Sequence, residues 1–340
     1  MKAVVYTGKE QYILKDVPMP KYNDNQVLIR VKACGFCKTD LHIHKGEFMA
    51  KFPLIPGHEF GGIVKGVGSK VKEFKVGDRV AANNWILCGK CYYCKEDKPL
   101  FCENPYAMGV NGPGGFAEYV VVNENMAFHI KDNLSFDEVA LIEPTACAIH
   151  GIDVIDVQCG DEVLLFGAGP TGIILAQLIK NCGAVNVVVA APTKLKLDLI
   201  EKLGVGKTIL IDRNDKKKNE TMIKAMYPQG FDIVVDATGS AEVVEQCIKF
   251  TKRGAKVVIY GVCDVEDKIT LRPYEIFEKE LKIIGSYCQT HCVGRAVKYL
   301  ENGIIKVDKL ITNKYSLDDY DKALKTVIGD SGKIKVILNP

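Results

Sequence analysis

The first 150 residues contain short segments in which apolar and polar side chains alternate. Residues 26–32 read Gln-Val-Leu-Ile-Arg-Val-Lys, residues 62–67 follow the same period, and glycine-rich turns separate such segments. A period of two is typical of β-strands that bury one face. Short strands separated by turns predict a partly open β-barrel for this part of the chain.

After residue 150 the pattern changes, because apolar strands alternate with helical segments. Residues 162–166 form an apolar strand, and residues 173–182 carry apolar side chains on most faces of a helix. A chain of six strands connected by helices is typical of a doubly wound parallel sheet, so we expect an α/β fold. The remaining strands are predicted at 186–190, 208–211, 231–235, 255–260 and 281–284.

The change of pattern also predicts how the chain divides into domains. Residues 1–150 and 290–340 are expected to form one domain, since the helix and the strand after residue 290 are expected to return to it. Residues 151–289 are expected to form the other. A length of 340 residues agrees with two domains.

The composition excludes some classes of partner. With 47% hydrophobic residues, 26% charged residues and a net charge of +3, the chain is typical of a globular protein. We predict no nucleic-acid partner from this charge, and no membrane partner, since no apolar run approaches the length that spans a bilayer. Most of the thirteen cysteines are expected to be reduced, which predicts a cytoplasmic location.

Four cysteines form the most specific motif of the chain, namely Cys88, Cys91, Cys94 and Cys102. At this spacing four thiolates can converge on one tetrahedral metal, and zinc best fits four thiolates without redox chemistry. Because four sulfur ligands leave no open position, we interpret the lobe at about residues 85–105 as a structural zinc site. A disulfide cluster and an iron–sulfur cluster are the alternatives.

A glycine-rich turn, Gly167-Ala-Gly-Pro-Thr-Gly172, follows a predicted strand and begins a predicted helix. In that context the motif predicts a dinucleotide site, with the pyrophosphate at the helix N-terminus. The residues expected to contact the cofactor here are Gly167, Gly169, Pro170, Thr171 and Gly172.

The second strand of the predicted sheet ends without the carboxylate that NAD-binding proteins use to hold the ribose. It ends at Ala191, and Thr193, Lys194 and Lys196 follow. An acid would repel the 2′-phosphate of NADP, whereas these lysines would attract it, so the segment predicts NADP. NAD is the alternative, in which case the lysines are ordinary solvated helix residues.

A second set of candidate metal ligands is spread along the first domain and comprises Cys37, His58, Glu59 and Glu143. One thiolate, one imidazole and one carboxylate make a zinc site that keeps a position for water or substrate. With the four-cysteine lobe, this set predicts two zinc ions per chain.

Together these motifs resemble the zinc-dependent medium-chain alcohol and polyol dehydrogenases, over the whole length of the chain. The resemblance is carried by Gly-His-Glu-x-x-Gly-x(5)-Gly from Gly57 to Gly68, by the four-cysteine lobe, by the glycine-rich turn and by residues 277–285. The pair Glu143-Pro144 resembles the sorbitol dehydrogenase branch. The resemblance implies a GroES-like β-barrel catalytic domain and a Rossmann domain.

The resemblance also implies the roles of single residues. Cys37 and His58 would bind the catalytic zinc, and either Glu59 or Glu143 would be the third ligand. It also implies a proton relay near the zinc, and further contacts between the cofactor and residues of the second domain outside the glycine-rich turn. The relay positions are Thr39 and His42, with His44 as an alternative end, and the cofactor positions are Thr238, Ser286 and Tyr287.

The function implied is hydride transfer between a polyol or sugar alcohol and NADP(H), which converts a secondary alcohol to a ketose. Zinc lowers the pKa of the substrate hydroxyl, and the nicotinamide takes the hydride. A phosphorylated polyol or an amino alcohol such as threonine is an alternative substrate. A non-catalytic NADPH-binding protein is the alternative from another class, although the intact ligand set argues against it. The family further implies a homodimer or homotetramer.

Overall fold

The computed structural model describes residues 1–330 and 332–340. The chain divides into two compact units, of which the first joins Met1–Ala146 to Thr290–Pro340 and the second is Cys147–Gln289. Within the described residues, no helix combines the length and the apolar character needed to cross a membrane.

The N-terminal part of the first unit consists mainly of short strands, as its alternating sequence predicts. In chain order it contains β1 (Lys2–Gly8), β2 (Gln11–Asp16), β3 (Gln26–Phe36), α1 (Lys38–His44), β4 (Glu59–Val67), β5 (Arg79–Ala82), β6 (Trp85–Ile86), α2 (Tyr92–Lys95), β7 (Tyr106–Ala107), β8 (Tyr119–Asn123), β9 (Ala127–His129), α3 (Phe136–Val139) and the start of α4 (Ile142–Ile155).

Strands and helices then alternate through the second unit, and the chain finally returns to the first. The second unit contains β10 (Glu162–Phe166), α5 (Pro170–Asn181), β11 (Asn186–Ala191), α6 (Lys194–Lys202), β12 (Lys207–Leu210), α7 (Lys216–Met226), β13 (Phe231–Asp236), α8 (Ala241–Cys247), β14 (Thr251–Ile259), α9 (Pro273–Lys279) and β15 (Lys282–Gly285). The return consists of α10 (Val293–Glu301), β16 (Ile311–Ser316), α11 (Tyr320–Gly329) and β17 (Lys335–Asn339). Short 3₁₀ helices lie at Pro99–Phe101, Glu124–Met126, Ile248–Phe250, Asp308–Leu310 and Leu317–Asp319.

The main sheet of the first unit has seven strands in the order β16-β17-β3-β4-β5-β9, with β8 paired to β3. Strand β3 is central, because β17, β4 and β8 all pair with it in antiparallel fashion. Its inward side chains, among them Val27, Ile29 and Val31, are buried in the core of the unit with Phe116 and Tyr320. The end of β3 is therefore held on both sides by neighbouring strands.

The second unit is built on a six-stranded sheet of order β12-β11-β10-β13-β14-β15. All five pairings are parallel, so the predicted doubly wound sheet is confirmed. Strand β14 begins at Thr251, earlier than the predicted residue 255. Thr251 pairs with Phe231 before a register shift, so the strand begins there. The residues that follow Thr251 are polar, and for this reason the apolar pattern did not predict this part of the strand.

Because β10 is central in this sheet, its apolar side chains should dominate the stability of the second unit. Leu164 on β10 is fully buried, whereas Leu195 on α6 is 58% exposed. We expect Leu164→Ala to lower the free energy of unfolding by about 2–5 kcal/mol, and Leu195→Ala, the matched control, to change it by less than about 0.5 kcal/mol. Thermal and denaturant unfolding measure both values. Equal losses in the two variants would contradict the central position of β10.

Candidate functional site

Four thiols converge in the loop between β6 and β7. The Sγ atoms of Cys88, Cys91, Cys94 and Cys102 all lie within 4.8 Å of one another, and those of Cys88 and Cys94 are 4.0 Å apart. Sulfur ligands around a tetrahedral zinc are about 3.8 Å apart, so this donor set fits zinc. All thirteen cysteines, each in a described part of the chain, are free thiols, so the lobe is not a disulfide cluster.

The backbone of this lobe favours the thiolate at its first cysteine. The backbone N–H groups of Lys90 and Cys91 lower the pKa of the Cys88 thiol to about 6. The N–H of Cys88 in turn donates to Cys102 Sγ at 3.4 Å. Gly89 supplies the left-handed conformation that this tight loop needs, with φ of +69°. Since the thiolate is the form that binds metals, Cys88 is prepared for a cation, whereas burial and the neighbouring thiols raise the pKa of Cys94 to about 12.

A second donor group lies where β3 ends and β4 begins. Cys37 separates β3 from α1, and Glu59 is the first residue of β4, directly after His58. The antiparallel ladder places Gly35 opposite Glu59. The donor atoms of Cys37, His58 and Glu59 consequently lie within 4.8 Å of one another. A thiolate, an imidazole and a carboxylate are the donor types of a zinc site with an open position.

Asp40 belongs to this site and was missed in the sequence. Its Oδ2 accepts the backbone N–H of Cys37 at 2.8 Å, and its Oδ1 lies 3.5 Å from His58 Nδ1. Burial lowers the pKa of His58, but Asp40 and Cys37 outweigh this effect and raise the pKa well above its usual value. The spacing Cys-x-x-Asp at the start of α1, where Asp40 caps the helix, is a signal that could have identified it.

Lys335 enters the same site from the first position of β17. Its Nζ contacts Glu59 Oε2, and the two side chains are only 2% and 1% exposed. Burial lowers the pKa of Lys335, but the charges of Glu59, Cys37 and Asp40 outweigh burial and raise the pKa above its ordinary value. No local motif marks Lys335, because only the pairing of strands distant in sequence brings it to Glu59.

Glu143 was predicted as the other candidate for the third ligand. It lies in the first turn of α4 and is buried. The described donor atoms that lie within 4.8 Å of one another belong to Cys37, His58 and Glu59, and Glu143 is not part of that group. The structure thus brings Glu59 to the other two donors, and a ligand role for Glu143 stays a prediction.

The predicted relay residues lie on α1, which begins directly after Cys37. The Cys37 thiol donates to Thr39 Oγ1 at 3.6 Å. His42 Nδ1 lies 2.5 Å from a carboxylate oxygen of Glu47, and His42 Nε2 is buried without a hydrogen-bond partner among the described residues. The carboxylate of Glu47 fixes the ring of His42 and leaves its Nε2 for another group.

His44, the alternative end of the relay, has a different environment. Its Nδ1 lies 3.0 Å from the hydroxyl of Tyr6, which in turn lies 2.9 Å from the hydroxyl of Tyr320. Burial lowers the pKa of His44. These contacts tie α1 to β1 and α11, and a relay role for His44 stays a prediction.

The glycine-rich turn joins β10 to α5. Gly167 has φ of +112°, and a Cβ atom at Gly172 would overlap with the carbonyl oxygen of Gly167. Pro170 and Thr171 form the first turn of α5, with Gly169 as the N-cap. A Cβ atom at Gly169 would meet no described atom within 4 Å. The open space at Gly169 and the backbone N–H groups at the start of α5 fit a pyrophosphate.

The end of β11 contains the residues predicted to select the cofactor. Ala191 is buried, and Thr193 is the N-cap of α6 without a capping bond from its side chain. Lys194 Nζ forms an ion pair with Asp198 one turn later, and Lys196 lies in the same first turn. The segment therefore lacks an acid at the strand end, but the charge of Lys194 is already partly balanced by Asp198.

Asp236, at the end of β13, was also missed in the sequence. It is fully buried, and its carboxylate accepts the N–H of Thr238 at 3.0 Å, the hydroxyl of Thr238 at 2.5 Å and the N–H of Gly239 at 3.2 Å. Asp236 thereby fixes the loop that holds Thr238, a predicted cofactor contact. The other two predicted contacts, Ser286 and Tyr287, directly follow β15.

Comparison with known proteins identifies the family. The profile described as "Alcohol dehydrogenase GroES-like domain" matches residues 23–132, and the profile described as "Zinc-binding dehydrogenase" matches residues 170–302. The chain therefore belongs to the zinc-binding dehydrogenases with a GroES-like domain, and it is an oxidoreductase. The predicted family, the α/β fold and the enzyme class are confirmed.

Individual relatives span nearly the whole chain. D-arabinitol dehydrogenase 1 of Uromyces fabae is 43% identical over 325 residues, which cover 95% of this chain and 93% of that protein. L-threonine 3-dehydrogenase of Escherichia coli (strain K12) is 31% identical over 342 residues, with 98% of each chain covered. A protein of Sinorhizobium meliloti 1021, solved with NADP bound, is 33% identical with a TM-score of 0.93, and the match covers 100% of this chain and 99% of that chain.

If the four thiols bind a structural zinc, the loss of one should destabilise the lobe. We expect Cys91→Ser to lose the metal of the lobe and to unfold at a lower temperature, since a hydroxyl is a poor zinc ligand. Zinc content and thermal unfolding of protein purified without chelator measure the effect. Cys159→Ser, at an exposed cysteine outside the lobe, is the control. Unchanged zinc content in Cys91→Ser would refute the site.

Proposed function

We propose that this protein is a zinc-dependent polyol dehydrogenase that oxidises a secondary alcohol to a ketone with NADP⁺, or catalyses the reverse reduction. The observation that carries the proposal is the convergence of Cys37, His58 and Glu59 on one point. The 43% identity to a D-arabinitol dehydrogenase supports a polyol as substrate. A non-catalytic NADPH-binding protein would have no use for such a donor set.

The residues present fit two zinc ions. The four-cysteine lobe offers a closed set of sulfur donors, and Cys37, His58 and Glu59 offer a mixed set. Glu143 is the alternative third ligand that the family resemblance implies. A zinc ion bound at the mixed set would polarise the substrate oxygen and favour its deprotonated form, and the nicotinamide would accept the hydride.

Residues around the donor set would orient the metal ligands and carry the proton of the substrate. Asp40 holds the backbone N–H of Cys37 and faces Nδ1 of His58, so His58 presents Nε2 to the metal. Thr39, two residues after Cys37, would accept the proton of the substrate hydroxyl while it passes its own hydroxyl proton on through the ribose hydroxyls of the cofactor. His42 would accept that proton at Nε2, while Glu47 holds its Nδ1.

The second unit would bind the dinucleotide. Gly167, Gly169, Pro170, Thr171 and Gly172 would hold the pyrophosphate at the start of α5. The absence of an acid at Ala191 and the NADP bound to the Sinorhizobium meliloti protein support NADP. Lys194 would have to exchange Asp198 for the 2′-phosphate, with Thr193 and Lys196 beside it. Thr238, Ser286 and Tyr287 would provide the remaining contacts.

The proposal extends to organisation and location. The unit Met1–Ala146 with Thr290–Pro340 would be the catalytic domain, with the structural zinc lobe at about residues 85–105. The unit Cys147–Gln289 would be the dinucleotide-binding domain. Thirteen free thiols support a reducing compartment, which is the cytoplasm. A homodimer or homotetramer follows from the family resemblance.

A substrate panel tests the proposed activity. The panel consists of pentitols and hexitols, their phosphates and L-threonine, each with NADP⁺ and NAD⁺. The 31% identity to L-threonine 3-dehydrogenase makes L-threonine the second candidate. We expect the highest kcat/KM with a free polyol, whereas a preference for L-threonine or for a phosphate would identify another substrate class.

The catalytic metal can be separated from the structural one by a single substitution. We expect about two zinc ions per chain in the wild-type protein and about one in Cys37→Ser, with turnover lost and the four-cysteine lobe still loaded. Metal analysis and activity assays measure both quantities. Cys34→Ser, at a buried cysteine on β3 outside both donor groups, is the control. A wild type with one zinc ion that Cys37→Ser retains would contradict the mixed site.

Cofactor choice is tested at the end of β11. We expect Ala191→Asp to shift the ratio of kcat/KM towards NAD⁺ by about tenfold to a hundredfold, because the acid accepts the ribose hydroxyls and repels a 2′-phosphate. Lys194→Ala should lower kcat/KM with NADP⁺ but not with NAD⁺. Lys202→Ala, at the other end of α6, should leave the ratio unchanged. A wild type that strongly prefers NAD⁺ would show that another group holds the ribose.

A further inference from the structure

We propose that Arg213, in the loop between β12 and α7, is a specificity-determining residue that binds the 2′-phosphate of NADP. The inference rests on the proposed function, since it assumes that the second unit binds a dinucleotide. Arg213 belongs to no motif of the sequence. It also lies in a different loop from Ala191 and Lys194, which are the residues at the end of β11 and the start of α6.

The order of the strands places this loop beside the adenosine ribose. In the six-stranded sheet, β10 carries the glycine-rich turn, β11 is its neighbour, and β12 is the edge strand on the far side of β11. In a fold of this kind the pyrophosphate lies at the end of the first of these strands and the ribose at the end of the second. The next segment of chain outward from the ribose is therefore the loop after β12.

The ends of β11 and β12 lie level with each other. Ala191, the last residue of β11, pairs with Leu210, the last residue of β12, and the N–H of Ile211 donates to the carbonyl oxygen of Ala191 at 3.2 Å. Neighbouring strands are about 4.8 Å apart. The chain that leaves β12 thus begins one strand spacing from the position where an acid would hold the ribose of NAD. Arg213 follows two residues after Ile211, and its long side chain can span that spacing.

The backbone on either side of Arg213 is fixed by hydrogen bonds. Asn219 on α7 is buried. Its Oδ1 accepts the N–H of Asp212 at 3.0 Å, and its Nδ2 donates to the carbonyl oxygen of Asp212 at 2.6 Å. The carboxylate of Asp212 in turn accepts the N–H of Asn214 at 2.9 Å. A charged group carried on a fixed backbone loses less conformational entropy when it binds a ligand.

Arg213 itself has no competing partner. Its side chain is exposed, and in the described parts of the chain it takes part in no ion pair and no side-chain hydrogen bond. The two acids of the loop hold backbone instead, since Asp212 and Asp215 accept the N–H groups of Asn214 and Lys218. The loop therefore presents an unpaired guanidinium group beside the end of β11.

Lys194 differs from Arg213 in this respect. It forms an ion pair with Asp198, so a phosphate bound by Lys194 must replace that carboxylate, whereas Arg213 gives up only water. A guanidinium group also presents two parallel N–H donors to two phosphate oxygens, which an ammonium group cannot do. Arg213 can therefore distinguish NADP from NAD without an exchange of partners.

Stacking on adenine is the other use that a guanidinium group has at this position. Both NADP and NAD carry adenine, so stacking would favour the two cofactors equally. A contact with the 2′-phosphate favours NADP alone. The ratio of the two affinities consequently distinguishes these roles.

The experiment measures the dissociation constants of adenosine 2′,5′-bisphosphate and of 5′-AMP, together with kcat and KM for NADP⁺ and NAD⁺. The two nucleotides represent the adenosine end of the cofactors with and without the 2′-phosphate, so their binding needs no turnover. For Arg213→Gln we expect the dissociation constant of the bisphosphate and KM for NADP⁺ to rise by about tenfold to a hundredfold. The values for 5′-AMP and NAD⁺, and kcat at saturating NADP⁺, should stay at those of the wild type.

Two further variants serve as conservative replacement and as control. Arg213→Lys keeps the charge but loses the paired donors, so its affinity for the bisphosphate should lie between those of the wild type and Arg213→Gln. Arg253→Gln removes another arginine of the second unit, whose side chain is 72% exposed and pairs with Glu278. Arg253 lies at the start of β14, at the opposite edge of the parallel sheet, and its variant should match the wild type.

The outcomes separate this inference from the proposed function. A selective loss of affinity for the bisphosphate and NADP⁺ in Arg213→Gln supports the role of Arg213. An equal loss for both nucleotides overturns it, and so does the absence of any loss. A wild type that binds 5′-AMP as tightly as the bisphosphate and prefers NAD⁺ overturns the choice of NADP, and the role of Arg213 with it, while activity with polyols still decides on the dehydrogenase.

Discussion

The pairing of β3 with its neighbours is the constraint on which the catalytic part of this protein depends. Cys37 emerges from the end of β3, Glu59 begins β4 beside it, and Lys335 begins β17 on the other side. A shift of this ladder by one residue would move the side chains to the other face of the sheet and separate the donors. The core packed around β3 therefore also fixes the geometry of the candidate metal site.

Charge explains why these side chains are tolerated in a buried region. Asp40 and Glu59 would each be costly to bury alone, and each has a specific partner that offsets the cost. Asp40 receives the backbone N–H of Cys37 and faces His58, whereas Glu59 contacts Lys335. The two carboxylates thus have different tasks in the proposed enzyme: Asp40 orients a ligand, and Glu59 is itself a candidate ligand.

The dinucleotide site uses the backbone instead of charged side chains. Gly167, Gly169 and Gly172 leave space, and the start of α5 supplies N–H groups, so the pyrophosphate site needs little from the rest of the unit. The choice between NADP and NAD depends on side chains outside the glycine-rich turn. It depends on whether Lys194 remains with Asp198 or turns to a 2′-phosphate, and exposed ion pairs of this kind are weak enough to exchange.

The sequence by itself determined those features that a short stretch of chain can encode. The alternation of strands and helices predicted the six-stranded parallel sheet, and the glycine-rich turn and the four closely spaced cysteines predicted sites formed by one loop each. Periodicity and spacing are local quantities, and in these cases the contacts that matter are local as well. The ligand set could be proposed from the sequence only because several separated motifs resembled one family.

Only the tertiary structure decided which separated residues meet. It grouped Glu59 with Cys37 and His58 without Glu143, revealed Asp40 and Asp236 as buried carboxylates that fix neighbouring backbone, and brought Lys335 to Glu59 across Gly35. It also showed that Lys194 already has an anionic partner. The meetings of Glu59 with Cys37, His58 and Lys335 do not follow from a local pattern, because strand register and the packing of distant segments determine which polar groups share a buried space and must satisfy one another.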